Sequence, residues 1–100
     1  MKAYKTISGD VTNDVLVRKH TDIRISEVSI ANTHNSNSCI VSLFATNDDG
    51  TNHKYYMVKN LKIPVGATLV IDNKSVGINT KTHNLELTTT GSSSLTIIIS

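Results

Sequence analysis

The chain is short of almost everything that usually signals chemistry. Its 100 residues include one cysteine, one proline, one phenylalanine, three tyrosines and no tryptophan. The lone Cys39 excludes an intrachain disulfide and fits folding in a reducing compartment. It lies in the apolar run Cys39-Ile40-Val41-Ser42-Leu43-Phe44, where a thiol is expected to be buried and inert. Charge is equally sparse. Ten basic and eight acidic residues give a net +2, scattered along the chain, so the electrostatic footprint of a nucleic-acid binder is missing. No apolar stretch approaches the roughly 18 residues of a membrane span. The opening segment, Met1 to Thr6, lacks the apolar stretch of a secretory signal, so a protein made in the cytoplasm is expected.

Catalytic and metal-binding patterns are missing too. His20, His34, His53 and His83 are dispersed, and no two stand at the i, i+2 or i, i+4 spacing that presents a ligand pair. The Asn47-Asp48-Asp49-Gly50 segment has acids and a glycine. It lacks the alternating oxygen ligands and closing bidentate acid of a calcium loop, and reads as a turn. Glu27 and Glu86 are the only glutamates, and each alternates with apolar neighbours as a solvent-facing strand residue would. No glycine-rich phosphate loop and no Gly-x-Ser-x-Gly elbow occurs. Neither an enzyme nor a cofactor or metal site is expected.

What the chain has in abundance is β-branched side chains: 11 Ile, 9 Val and 13 Thr. Their stiff rotamers suit a pleated surface and crowd a helix. With 11 Ser and 10 Asn to supply turns, the composition is that of an all-β protein. Short extended segments recur roughly every ten to twelve residues, separated by turn formers. Lys2–Ile7 is followed by a Gly9-Asp10 turn, and Val11 to Val17 reads as a weak strand, partly loop. Ile23 and Ile25 alternate, and Val28 and Ile30 resume after a slip of one residue, which predicts a β-bulge near Ser26-Glu27. Cys39–Thr46, His53–Leu61, Thr68–Asp72, His83–Thr88 and Leu95 to the end complete the set. Residues 1–100 are therefore expected to form one antiparallel β-sandwich of seven or eight strands, immunoglobulin-like or jelly-roll, with no tail or second domain. Ile23, Ile25, Ile30, Val41, Leu43, Leu69, Ile71, Leu85, Leu87, Ile97 and Ile99 are the expected core.

Several residues read as surface contacts. Along Cys39–Thr46 the second face, Ile40-Ser42-Phe44, is too apolar to be simply wet. In the Tyr55-Tyr56 pair, period-2 alternation predicts one ring inward and one outward, the outward ring an anchor candidate. The last strand has no charge, so it is expected to be central or covered by a neighbour, with Ile98 facing out. Asn35 and Asp49 mark loops of residues 32–37 and 47–52 available for contact.

One long stretch resembles a known group. The Ser8-to-Val11 opening, Ile30-Ala31-Asn32-Thr33-His34, the segment from Tyr55 through Ile63-Pro64-Val65-Gly66 to Asp72, and the apolar last strand are similar to small β-sandwich virion proteins of tailed bacteriophages, such as marine cyanophages. The resemblance covers most of the chain and brings no catalytic residue with it. It implies a virion component made in the host cytoplasm and present in many copies, as a capsid decoration, neck or tail part. Its partners would be other copies of itself, most simply as a closed homo-oligomer, and other virion proteins. The contact candidates are then Tyr55, Tyr56, Ile98, Phe44, Asn35 and Asp49. The rival expectation is a carbohydrate-binding sandwich, which would want an aromatic platform this chain can build only from tyrosine.

Overall fold

A computed structural model describes residues 3–21, 25–47, 53–72, 79–91 and 94–100. Eight strands make up its regular structure: β1 (Ala3–Ser8), β2 (Val11–Val17), β3 (Glu27–Asn32), β4 (Cys39–Thr46), β5 (Tyr55–Ile63), β6 (Thr68–Asp72), β7 (Asn84–Thr90) and β8 (Ser94–Ile99). No helix occurs among the described residues. Two four-stranded sheets form, in the orders β1-β8-β3-β6 and β2-β7-β4-β5, and every neighbouring pair is antiparallel.

The pairing is nested. First strand pairs with last, β2 with β7, β3 with β6 and β4 with β5, and the contacts β3–β8 and β4–β7 stitch these pairs into two sheets. That is the jelly roll, an eight-stranded double Greek key. An immunoglobulin-like sandwich would pair its first two strands, whereas β1 and β2 lie in different sheets here.

Alternation along each strand builds the core. Val28 and Ile30 on β3 and Leu95, Ile97 and Ile99 on β8 point inward from one sheet. Cys39, Val41 and Leu43 on β4 and Leu85 and Leu87 on β7 meet them from the other. Each such side chain contributes about 1.5–3 kcal/mol by leaving water. Every expected core residue within the described chain belongs to this cluster, with one qualification. Leu69 and Ile71 are only partly buried, because β6 is an edge strand with sheet on one side alone. Ile23 lies outside the described residues. Ile7, Val17 and Ile63 join the core as well.

Local irregularities follow the sequence. The amides of Ser26 and Glu27 both donate to the carbonyl of Ser100, at 2.6 and 3.0 Å, and Ser100 donates back to Glu27. Two residues thus face one, the signature of a bulge, and Ile25 and Val28 are both buried across it. The weak β2 is a strand throughout, but Asn13 takes a left-handed φ of 52° and the register with β7 shifts twice. At the β7–β8 turn Gly91 has φ 101°, and a side chain there would meet the Ser38 carbonyl at 3.0 Å. Only glycine satisfies both conditions.

Candidate interaction surfaces

The outer face of β2-β7-β4-β5 begins with the expected apolar row. Ile40, Ser42 and Phe44 do point away from the core, but Phe44 is not available for contact: it is 1% exposed. Its ring is covered by Tyr56, with centroids 5.4 Å apart and planes tilted 54°. The Lys54 ammonium lies 4.9 Å from the ring centre, held there by the Asn13 side-chain oxygen at 3.2 Å. Alternation puts Phe44 on the outer side correctly; the cover comes from β5, whose register no local pattern reveals.

The tyrosine pair needs one correction: Tyr56 faces outward, as one ring was expected to, but the other ring is not buried. Neither ring enters the core: Tyr55 is 53% and Tyr56 42% exposed. Tyr56 stands opposite Phe44 and Tyr55 opposite Ala45, after a register shift between Leu43 and Phe44. A second irregularity sits further along, where Asn60 adopts φ 52° and its amide donates to the Ser42 hydroxyl at 2.9 Å. Lys59 and Asn60 thereby face Ser42 alone, and the Lys59 ammonium swings over the Tyr56 ring, 5.1 Å from its centre. With Lys62 opposite Ile40, this face presents three lysines beside its apolar groups.

Glu86 is also on this outer face, but it is buried rather than solvent-facing. Val15 and Phe44 flank it on the neighbouring strands, and its carboxylate accepts a hydrogen bond from the Thr46 hydroxyl.

The other sheet presents a different surface. Across its four strands Tyr4, Ile98, Ser29 and Val70 form one row, each directly opposite the next. The central position of β8 explains why it carries no charge: both its edges are hydrogen-bonded. Ile98 is half-buried, and the flanking Tyr4 and Val70 are 70% and 56% exposed. Sequence reasoning passed over these two, although Val70 stands between the inward Leu69 and Ile71 and alternation alone turns it outward. The next row, Thr6-Thr96-Ala31-Thr68, is uncharged. On the opposite side of the apolar row stand Glu27 and Asp72, directly across from one another. These two are the outward-facing charged side chains of this sheet among the described residues.

The cysteine and three of the histidines have defined settings. Cys39 is buried, and burial together with the Asp10 carboxylate raises its thiol above the ordinary 9.0. The His34 ring accepts the amides of Ser36 and Asn37, both at 3.0 Å, and so caps its own turn. His53 and His83, distant in sequence, flank Tyr55 with ring centroids 6.3 and 5.6 Å away. No group of three or more His, Cys, Asp or Glu side chains is placed to hold a metal among the described residues. Between the β5 and β6 edges, Leu61, Pro64, Ala67 and Leu69 line an apolar cleft of about 130 Å³. That is well below the ~300–1,000 Å³ of a small-molecule site. Asn35 is exposed in the β3–β4 connection. Asp49 lies outside the described residues.

The chain matches no protein-family model, no curated protein and no solved structure.

Proposed function

We propose that the protein is a structural component of a bacteriophage virion, present in many copies as a capsid decoration, neck or tail part, and that it works by packing rather than by catalysis. The observation that carries this reading is that both outer sheet faces bear exposed apolar side chains, Tyr4 and Val70 on one and Ile40 and Tyr56 on the other. Exposed apolar rows on both sides of a thin sandwich suit a module with a neighbour on each side. The jelly roll recurs in viral capsid proteins, which agrees with the sequence resemblance, although a fold alone does not assign a function. Mass spectrometry of purified particles, with light scattering of the isolated protein, is the test. Presence in the particle and a concentration-dependent mass are expected; a strictly monomeric protein absent from particles would refute the assignment.

A second reading, carbohydrate binding, draws on one observation. Tyr55 projects at the end of the sandwich with His53 and His83 beside it, and lectins share this fold. Glycan-array binding abolished by Tyr55→Ala would favour it.

A further inference from the structure

We infer that two copies of the chain pair edge to edge, β6 against β6 about a two-fold axis through Val70, so that their β1-β8-β3-β6 sheets become one eight-stranded sheet. The inference rests on the self-packing reading above and names the place where two copies meet.

Strands β1, β6, β2 and β5 end the two sheets, and three of them carry features that deter a further strand. The Lys5 ammonium on β1 bridges to the Asp14 carboxylate on β2 at 2.7 Å, which ties these two edges to each other. β2 is also broken by Asn13, with its φ of 52° and two register shifts. β5 has Lys59, Lys62 and the left-handed Asn60. β6 differs. Its pairing with β3 runs without a break, and Thr68–Asp72 contains no lysine, proline or left-handed residue.

The hydrogen-bond pattern fixes which groups β6 turns outward. Glu27 and Ser100 exchange both backbone bonds, at 3.0 and 2.9 Å, while the Asn32 amide donates to the Ala67 carbonyl at 2.9 Å. Bonded and non-bonded pairs alternate along an antiparallel ladder, so odd-numbered residues of β3 serve β8 and even-numbered ones serve β6. Ile30 and Val28 thus use the amides and carbonyls of Leu69 and Ile71. Those of Thr68 and Val70 point away from β3, and among the described residues nothing bonds them.

A second β6 strand complements this edge. With two β6 strands antiparallel and centred on Val70, the Val70 residues exchange two backbone bonds on the axis, and Leu69 of each copy stands opposite Ile71 of the other. These are the inward residues that the edge position leaves only partly buried. Beside them lies the apolar cleft between β5 and β6, where Leu61 is 40% exposed. Ile71 of the second copy, set against Leu69, covers the mouth of that cleft and takes its walls out of water. On the outer face the row Tyr4-Ile98-Ser29-Val70 continues through Val70 into the same row of the second copy. Pairing therefore doubles the apolar stripe offered to a lattice neighbour. The contact is isologous, because one edge supplies both halves.

Cross-linking and sedimentation velocity of the full chain test the geometry. Facing residues of an antiparallel pair lie within the Cα–Cα span of a disulfide, and the native Cys39 is buried. Val70→Cys is expected to give a disulfide-linked dimer under mild oxidation. Tyr4→Cys, on the far edge of the same sheet and more exposed, is expected to give none. Val70→Pro removes only the outward amide and spares the bonds to β3. It is expected to weaken association at least about tenfold, with a urea midpoint near that of the wild type. Val70→Lys sets two ammonium groups side by side on the axis and is expected to give the same loss, independently of any strain proline brings. A Tyr4→Cys chain that cross-links as readily as Val70→Cys overturns the edge pairing and leaves the multicopy reading standing. So does a wild type that associates but ignores both Val70→Pro and Val70→Lys. A wild type monomeric at about 1 mM yet present in particles also overturns it. A wild type both monomeric and absent from particles removes the multicopy reading along with it.

Discussion

The side-chain amide of Asn32, near the end of β3, donates to the backbone carbonyl of Ile63, at the end of β5, at 2.9 Å. The two residues belong to different sheets, so this bond ties the sandwich together at the end where β3 turns into β4 and β5 into β6. The same amide donates to Asn37 at 3.0 Å, the Asn32 side-chain oxygen accepts from His34, and the residue is 2% exposed. Replacing it by Leu would leave two carbonyls and an amide without partners. A loss of at least about 2 kcal/mol in urea denaturation is expected, because each unsatisfied buried group costs about 1–3 kcal/mol. Asn32→Asp should be similarly damaging, since it sets a carboxylate against two carbonyl oxygens.

Leu43 and Ile97 face one another's sheets from the middle of the core, both fully buried. Truncating either to Ala should cost about 2–5 kcal/mol, the range for buried aliphatic side chains in a close-packed interior. Unchanged unfolding midpoints for both variants would contradict the two-sheet core.

Phe44 is a buried residue on an outer face, and its cover can be removed separately from it. Phe44→Ala should cost about 3 kcal/mol. Tyr56→Ala should cost less, about 1 kcal/mol, but should expose the Phe44 ring and raise binding of an apolar dye by the folded protein. Equal dye binding by wild type and Tyr56→Ala would show that the ring is covered by something else.

Cys39 links stability to high pH. Burial, and secondarily Asp10, raise its thiol above 9.0, so the folded chain holds the proton after the unfolded chain has lost it. Below pH 9 its contribution is constant; above that the unfolded state ionises first, and stability falls until the folded thiol ionises too. Cys39→Ala should flatten this part of the pH dependence. In the native protein a thiol reagent should react no faster than the chain opens.

Much of the fold was legible, for identifiable reasons. Strands β4 and β6 were bounded correctly because turn formers flank them, and the bulge at Ser26-Glu27 showed as a three-residue gap between Ile25 and Val28. Strand β2 was obscure because Asn13 breaks its alternation. The choice of jelly roll over immunoglobulin-like sandwich was illegible, since both write the same string of strands and differ only in distant pairings. The same limit applies to the surface. Alternation tells which side of a sheet a residue faces, and so it found the outward Ile98 and Ile40. It cannot tell what lies on top, and so Phe44 looked accessible and one ring of the tyrosine pair was expected in the core. Cross-strand neighbours such as Glu27 and Asp72, 45 positions apart in the chain, are equally hidden from it.

The nested pairing has a consequence for how the molecule comes into being. Ala3 pairs with Ile99 and Val11 with Thr89, so β1 and β2 cannot complete their hydrogen bonds until β8 and β7 exist. Only β4 and β5 form a local hairpin from which closure can spread outward. During synthesis β1 and β2 wait, unpaired and rich in β-branched residues, until β8 and β7 have left the ribosome. Folding is then dominated by closure of large loops, which places it in the slow, millisecond-to-second class. A crowd of newly made copies would share that interval, and their unpaired strand edges would be open to one another before any finished face is.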